Sequence, residues 1–134
     1  MQREIEWAAA VIFAVLGLSQ IYAWPWWHAY HQRLADRGAP AIRGYGALML
    51  SAGAIIAVFH NVWSGAATVL TLAGWLFIVE GALCALAPGM GLAGLTRADP
   101  AFRRRAIVAT GAFSVVVAGV LLAELLLGQG PGSR

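Results

Sequence analysis

Residues 66–87 read AATVLTLAGWLFIVEGALCALA, and Glu80 is the only charged side chain among these 22 residues. A helix of roughly 20 residues, rising about 1.5 Å per residue, spans the hydrocarbon core of a bilayer. Because lipid offers the backbone no hydrogen-bonding partner, a helix that bonds its own peptide groups is expected of such a continuous apolar stretch. Residues 66–87 therefore predict a transmembrane helix.

Three further stretches of the chain have a similar length and character. They cover residues 7–24, 44–63 and 106–127. A transmembrane β-barrel would need short strands of alternating polarity, whereas these stretches are continuously apolar. The sequence predicts an all-α integral membrane protein with four transmembrane helices in a single membrane domain, residues 1–134. The last residues, 128–134, are expected to form a flexible tail.

The composition excludes most other classes of protein. Apolar residues make up 60% of the chain and charged residues 11%, whereas a soluble domain has about 25% charged residues. The mean hydropathy is +0.74, which is too apolar for a disordered chain. The single cysteine, Cys84, excludes a disulfide-stapled fold. The start MQREIE lacks the net positive charge of a signal peptide, so the first span is expected to remain in the protein.

The basic residues are all arginines, and they distinguish the connections between the spans. Seven of the nine lie in the first and third connections, and the short second connection around Ser64 and Gly65 has none. Positive residues stay on the cytoplasmic side, so both arginine-rich connections are expected in the cytoplasm and both termini outside. The seven are Arg33, Arg37, Arg43, Arg97, Arg103, Arg104 and Arg105.

These seven arginines have two interpretations. Their guanidinium groups suit lipid phosphate, so they predict contacts with membrane lipids. Alternatively they only fix the orientation, with their side chains snorkelling to the interface. The sequence pI of about 9.8 is also typical of proteins that bind nucleic acids. Arginines that are confined to short loops beside apolar spans do not favour this interpretation. No nucleic-acid partner is expected.

Aromatic residues cluster where the first span ends. Pro25 is expected to break the helix, which leaves residues 26–37 to form a short interfacial helix with an aromatic side and an arginine-bearing side. Aromatic rings prefer the headgroup level of the membrane. The expected interfacial anchors are Trp24, Trp26, Trp27, Tyr30 and Trp63.

The two arginine-rich connections resemble each other in sequence. Residues 37–43 read RGAPAIR and residues 97–103 read RADPAFR, with arginine, proline, alanine and arginine in step. This match favours two parallel-repeated helix-loop-helix units, residues 7–63 and 66–127, although a biased composition could produce it by chance. Asp99 is expected to cap the helix that follows it.

Glu80 is the most informative residue for function. An ionisable group within a span costs at least about 2.5 kcal/mol and usually faces the interior of a helix bundle. It predicts either an intramembrane proton or cation site, or a structural carboxyl group that is bonded to a neighbouring helix or to a partner subunit.

A second polar group lies at the ends of two spans. His60 and Asn61 end the second span, and Glu124 lies at the same expected depth near the end of the fourth. His60 and Glu124 could therefore pair and respond to external pH. The alternative is that Asn61 caps the helix while His60 reaches the interface.

No cofactor, metal site or catalytic centre is expected. His28 and His31 share a helical face, but two histidines without a cysteine or carboxylate make a weak metal site. His60 is expected at the opposite membrane face, so the three histidines cannot enclose a haem. The sequence has no Gly-x-Ser-x-Gly, His-Glu-x-x-His or phosphate-loop motif, so the chain is not expected to be an enzyme.

Small residues recur at helical spacing in two of the spans. Such faces let helices approach closely in lipid, and they serve either the internal bundle or association with another protein. They are Gly46, Gly53 and Ala57 in the second span, and Gly111, Ser114 and Ala118 in the fourth.

Residues 59–88 contain several motifs in order. They are His60-Asn61-x-Trp63, Thr71-Leu72-Ala73-Gly74-Trp75, Glu80-Gly81 and Pro88. This set resembles a group of small uncharacterised bacterial inner-membrane proteins with four hydrophobic spans. The resemblance implies a location in the bacterial inner membrane, with the outward-facing termini in the periplasm, and it implies no activity.

These features together predict a non-enzymatic structural or accessory subunit. Small-residue faces, aromatic anchors and minimal loops favour a protein that packs its helices against membrane lipids, against itself as a homo-oligomer, or against other membrane protein subunits. The alternative is an oligomeric transporter or channel that uses Glu80 as a proton or cation site, because four short helices in one copy are too few to enclose a polar path.

Overall fold

The computed structural model describes residues 2–127, in which every regular element is an α-helix. The six helices are α1 (Gln2–Tyr22), α2 (Trp24–Arg37), α3 (Ala39–Phe59), α4 (Thr68–Leu86), α5 (Pro88–Arg97) and α6 (Pro100–Leu127). Four of them, α1, α3, α4 and α6, are long and apolar enough to span a membrane, as the sequence predicts. The predicted tail, residues 128–134, lies outside the described residues.

Prolines and glycines divide the chain into these helices. Pro25, Pro40 and Pro88 stand in the first turn of α2, α3 and α5, where a missing N–H leaves no bond unmade. Gly38 has a φ of +71° between α2 and α3, a conformation that other residues rarely adopt. Asp99 caps α6 as predicted, since its Oδ2 accepts the backbone N–H groups two and three residues later, at 3.0 and 3.3 Å.

The helices differ from the predicted spans mainly at their ends. α1, α3 and α6 begin five or six residues before the apolar stretches, because a helix continues through polar residues such as Arg3 and Arg103 after it leaves the apolar part. The prediction that the second helix reaches Trp63 is wrong. The backbone of His60 leaves the helical conformation, with φ −138° and ψ 73°, so residues 60–67 form the link to α4.

α5 is a helix that the sequence patterns do not predict. Gly89, Gly91 and Gly94 fall within its ten residues, and each glycine disfavours a helix by about 1 kcal/mol. Tertiary contacts compensate for this, because α5 packs on α3 and α4. A Cβ atom at Gly91 would lie 3.0 Å from a side-chain carbon of Ile42 and 3.6 Å from the sulfur of Cys84.

α3 and α4 form an antiparallel hairpin, and glycines make the contact. A Cβ atom at Gly46 would lie 2.8 Å from the backbone oxygen of Gly81, and one at Gly53 would lie 2.6 Å from that of Gly74. The two backbones therefore approach too closely to admit larger residues at these positions, which is how helices without a hydrophobic driving force associate in lipid.

α1 and α6, the first and last helices, form a second antiparallel pair. A Cβ atom at Gly17 would lie 2.7 Å from the backbone oxygen of Gly111, and one at Gly111 would lie equally close to that of Gly17. Near the other end of the pair, Nη2 of Arg3 donates to the backbone oxygen of Leu125 at 3.3 Å. The sequence predicts the small-residue face of α6 but not that α1 covers it.

A small apolar core joins the two helix pairs. Phe13 of α1 and Phe77 of α4 stack with their ring centroids 6.0 Å apart. Leu70, Val117 and Leu121 are buried beside them. Outside this core the long helices expose mostly large apolar side chains, which suits a protein whose surroundings are lipid.

The antiparallel packing gives the bundle two chemically different ends. α2 and α5 lie together at one end, which we call the arginine end because it carries the seven arginines of the two connections. The start of α1, the link 60–67 and the last turn of α6 lie at the other end, which we call the His60 end.

Candidate functional site

His60 is completely buried at the His60 end. Its Nε2 lies 2.8 Å from Oε1 of Glu6, near the start of α1. The two sequence interpretations of this residue are therefore wrong, since His60 neither reaches the interface nor pairs with Glu124. Glu6 was missed because it precedes the first predicted span and lies 54 residues away in the chain.

Asn61 does not cap α3 as predicted. The C-cap residue is His60, whose backbone N–H bonds the carbonyl of Ile56 at 2.7 Å. The Oδ1 of Asn61 instead accepts the indole N–H of Trp63 at 2.8 Å, and both side chains are exposed. Trp63 thus remains available as an interfacial anchor at this end, where aromatic rings are favoured.

Thr71 is a fully buried hydroxyl that holds the link 60–67 against α4. Its Oγ1 accepts the backbone N–H of Val62 at 3.0 Å. The same hydroxyl donates to the carbonyl of Val62 at 2.7 Å and lies 3.2 Å from the carbonyl of His60. The sequence places Thr71 only within the motif Thr71-Leu72-Ala73-Gly74-Trp75 and predicts no contact for it, although a polar residue one turn into an apolar span is a usable signal.

Replacing Thr71 with valine is expected to lower the free energy of unfolding by about 1–3 kcal/mol. Valine has nearly the same shape, but it leaves the buried N–H of Val62 without its acceptor. Unfolding in mixed micelles, followed by circular dichroism, measures the difference. Thr110→Val is the matched control, because the Thr110 hydroxyl is exposed and bonds only the carbonyl of Ala106 in its own helix. Equal losses in the two variants would contradict this role of Thr71.

Glu124 lies at the same end but does not pair with His60 as predicted, because Glu6 takes that place. Its Oε2 is buried and has no hydrogen-bonding partner among the described residues. Glu124 also lines an open cleft of about 260 Å³, together with Gln2, Arg3, Glu6 and Leu125. The His60–Glu6 pair is therefore reached from the surface through Glu6.

Glu80 lies on the exposed surface of α4 rather than inside the bundle. The hydroxyl of Tyr45 in α3 donates to its Oε1 at 2.8 Å. The carboxyl group is thus bonded to a neighbouring helix while much of it remains uncovered by the rest of the protomer.

His28 and His31 lie on α2 at the arginine end. Burial lowers the pKa of His31 below its ordinary value, the nearby His28 lowers it further, and the carboxylate of Glu80 partly opposes both. The imidazole of His31 therefore favours the neutral form. Among residues 2–127, no three His, Cys, Asp or Glu side chains are placed to share a metal ion.

The aromatic residues of α2 form one continuous cluster. Trp26 stacks on Tyr30 at 5.8 Å between ring centroids, and Trp27 meets both rings edge to face. The indole N–H of Trp27 donates to Oγ of Ser19 in α1 at 3.0 Å. The guanidinium group of Arg104 in α6 lies 5.1 Å from the centroid of the Trp24 ring.

The predicted small-residue faces lie mostly within the protomer. Ala57 is half-buried, and the other five residues are buried, namely Gly46, Gly53, Gly111, Ser114 and Ala118. They are used in the α3–α4 and α1–α6 contacts, so association with another protein needs a different surface.

Among the described residues, the charged groups are thus gathered at Glu80 and at the two ends, with the Phe13–Phe77 core between the ends. Comparison of the chain with protein-family models, with curated proteins and with solved structures finds no match.

Proposed function

We propose that this chain is a non-enzymatic structural or accessory subunit of the bacterial inner membrane. It acts through helix contacts with another copy of itself or with a larger membrane complex. One observation carries the proposal, namely that Glu80 is exposed within the membrane-spanning helix α4, where Tyr45 is its hydrogen-bonding partner among the described residues.

An exposed carboxyl group on a spanning helix is costly unless another polar group covers it. The cost of an ionisable side chain at this depth is at least about 2.5 kcal/mol. Tyr45 provides one donor to Oε1, whereas a carboxyl group can accept several bonds. A helix from another subunit that supplies a donor to Glu80 removes this cost, so the Glu80–Tyr45 surface is the contact we assign to a partner.

Within residues 2–127, the space between the two helix pairs of one protomer is filled by apolar side chains. The stacked rings of Phe13 and Phe77 and the buried Leu70 and Leu121 fill the space between the helix pairs. The described residues of this core are all apolar, so they supply no polar group that could carry an ion across the membrane. This favours an accessory role over transport by one copy.

The proposed placement follows from charge. Seven arginines at the arginine end assign this end to the cytoplasm, and the His60 end with both termini to the periplasm. α2, with its aromatic cluster and its arginines, is proposed to lie at the membrane interface. The order of a long helix, a proline-initiated short helix and a long helix occurs in α1–α3 and again in α4–α6, which supports the proposed duplication.

Glu80→Leu is expected to disrupt assembly while leaving the protomer folded. Loss of a hydrogen bond to a charged group, worth about 1.5 kcal/mol or more, weakens association at least about tenfold. The measurement is native-gel sizing and mass spectrometry after mild-detergent purification from native membranes. Thr110→Leu is the control, since it also replaces an exposed polar residue of a spanning helix. Unchanged assembly of the Glu80 variant would refute the proposed contact.

The exposure of Glu80 also favours one alternative, an oligomeric transporter or channel. Because Glu80 faces outward from the protomer, a path that uses it as a proton or cation site would run between copies. Reconstituted liposomes with an internal pH indicator distinguish the two functions. Proton flux that is lost in Glu80→Gln while the oligomer stays intact would establish transport, and the absence of flux from a homo-oligomer supports the structural role.

A further inference from the structure

The junction of α2 and α6 at the arginine end brings cationic groups together with an aromatic ring. The guanidinium group of Arg104 lies over the ring of Trp24, at 5.1 Å from its centroid. One turn further along α2, the ring of His28 makes an edge contact with the Trp24 ring, with 6.4 Å between the two ring centroids. Arg103 is the neighbour of Arg104 on α6, and its Nη1 donates to the carbonyl of Leu95 at 3.2 Å.

Two polar atoms at this junction are buried without a protein partner. Nε of Arg103 and Nδ1 of His28 have no hydrogen bond among the described residues. A buried donor that is left unpaired costs about 1–3 kcal/mol. A guanidinium N–H group can only donate a hydrogen bond, so it needs an acceptor. Nε of Arg103 is covered in the free protomer, so a phosphate oxygen would satisfy it only after the guanidinium group turns away from Leu95.

The positive charge at this end is also uncompensated. The nearby sequence contains two carboxylates, Asp36 and Asp99, against seven arginines. Asp99 is engaged in capping α6. Within residues 2–127, none of the seven arginines lies within ion-pair distance of a carboxylate, so a ligand that binds here must itself bring negative charge.

We propose that Arg103, Arg104 and Trp24 form a binding site for the phosphate group of an anionic phospholipid. The planar guanidinium fork suits a phosphodiester in a way that an ammonium group does not. The exposed ring of Trp26 on the same helix places the site at headgroup level, since tryptophan prefers that depth. This inference concerns the lipid alone and is independent of the partner that Glu80 contacts.

The test compares charge-conserving variants of the full chain in detergent, titrated with phosphatidylglycerol and read by native mass spectrometry. Arg104→Lys keeps the charge but loses the planar group over Trp24, and the expected result is an affinity about fivefold weaker. Arg105→Lys is the matched control, because Arg105 is exposed on the same helix without a described contact, and its affinity is expected to stay at the wild-type value.

Two outcomes would overturn the proposal. Equal affinities for the wild type, Arg104→Lys and Arg105→Lys would mean that the arginines act only as a diffuse positive surface. Equal retention of phosphatidylcholine and phosphatidylglycerol by the wild type would mean that the negative charge of the lipid is not recognised. Arg103→Gln provides a second variant, for which a loss of phosphatidylglycerol binding is expected with circular dichroism unchanged.

Discussion

Gly81→Leu is expected to force α3 and α4 apart and to lower the free energy of unfolding by more than about 3 kcal/mol. A Cβ atom at Gly81 would collide with the backbone nitrogen of Leu50 and lie 2.7 Å from the backbone oxygen of Gly46. Backbone atoms cannot rotate away as a flexible side chain can, so the two helices must separate along their length. Overpacking of this kind costs about 1–3 kcal/mol or more even where side chains can move.

The matched control for Gly81→Leu is Gly119→Leu. Gly119 is exposed on α6, and a Cβ atom there would meet nothing within 4 Å. Its replacement is expected to be neutral or slightly stabilising, because a helical glycine costs about 0.5–1 kcal/mol relative to alanine. Unfolding of both variants in mixed micelles gives the comparison. Similar stabilities would show that the α3–α4 glycine contact does not hold the hairpin together.

His60→Ala is expected to lower the free energy of unfolding by about 3 kcal/mol. The substitution removes a completely buried ring and leaves Glu6 without the imidazole at 2.8 Å. Truncating a fully buried ring to alanine leaves a cavity that costs about 3 kcal/mol, and the lost hydrogen bond to Glu6 adds less than this, because Glu6 lines the open cleft. Asn61→Ala is the control, because Asn61 is exposed and adjacent in sequence.

A double-mutant cycle separates the pair from the cavity. Glu6→Gln, His60→Ala and the combined variant are expected to show a coupling energy of about 1–3 kcal/mol. Losses that simply add would mean that His60 contributes through packing alone. The His60–Glu6 contact links α1 to the end of α3, and so links the α1–α6 helix pair to the α3–α4 helix pair. The three variants of the cycle should therefore also change the distance between α1 and α3.

The helical class and the four spans were predictable because each span is continuously apolar and long enough for a bilayer. The ends were less predictable, since hydropathy does not register the polar turns that α1 and α3 add before their apolar parts. α5 escaped prediction because its glycines disfavour a helix, and only the packing of Gly91 near Ile42 and Cys84 explains it.

The polar sites show what local sequence patterns do not predict, namely which residues far apart in the chain come into contact. Glu80 was singled out because a carboxylate within an apolar span is conspicuous, yet its contact with Tyr45 joins residues 35 apart. Equal membrane depth predicts Glu124 as the partner of His60, but depth alone does not determine which helices are neighbours. α1 packs against α3 at this end, which brings Glu6 beside His60.

The pairing of the first helix with the last has a consequence for biosynthesis. α3 and α4 leave the ribosome one after the other and can close their glycine contact as soon as both are inserted. The helix that follows α1 in the chain does not provide its glycine contact. Gly17 packs on Gly111 of α6, and Gly111 is synthesised only after α2–α5. A nascent chain truncated before α6 therefore leaves the glycine face of α1 without its partner, even when three spans have been inserted.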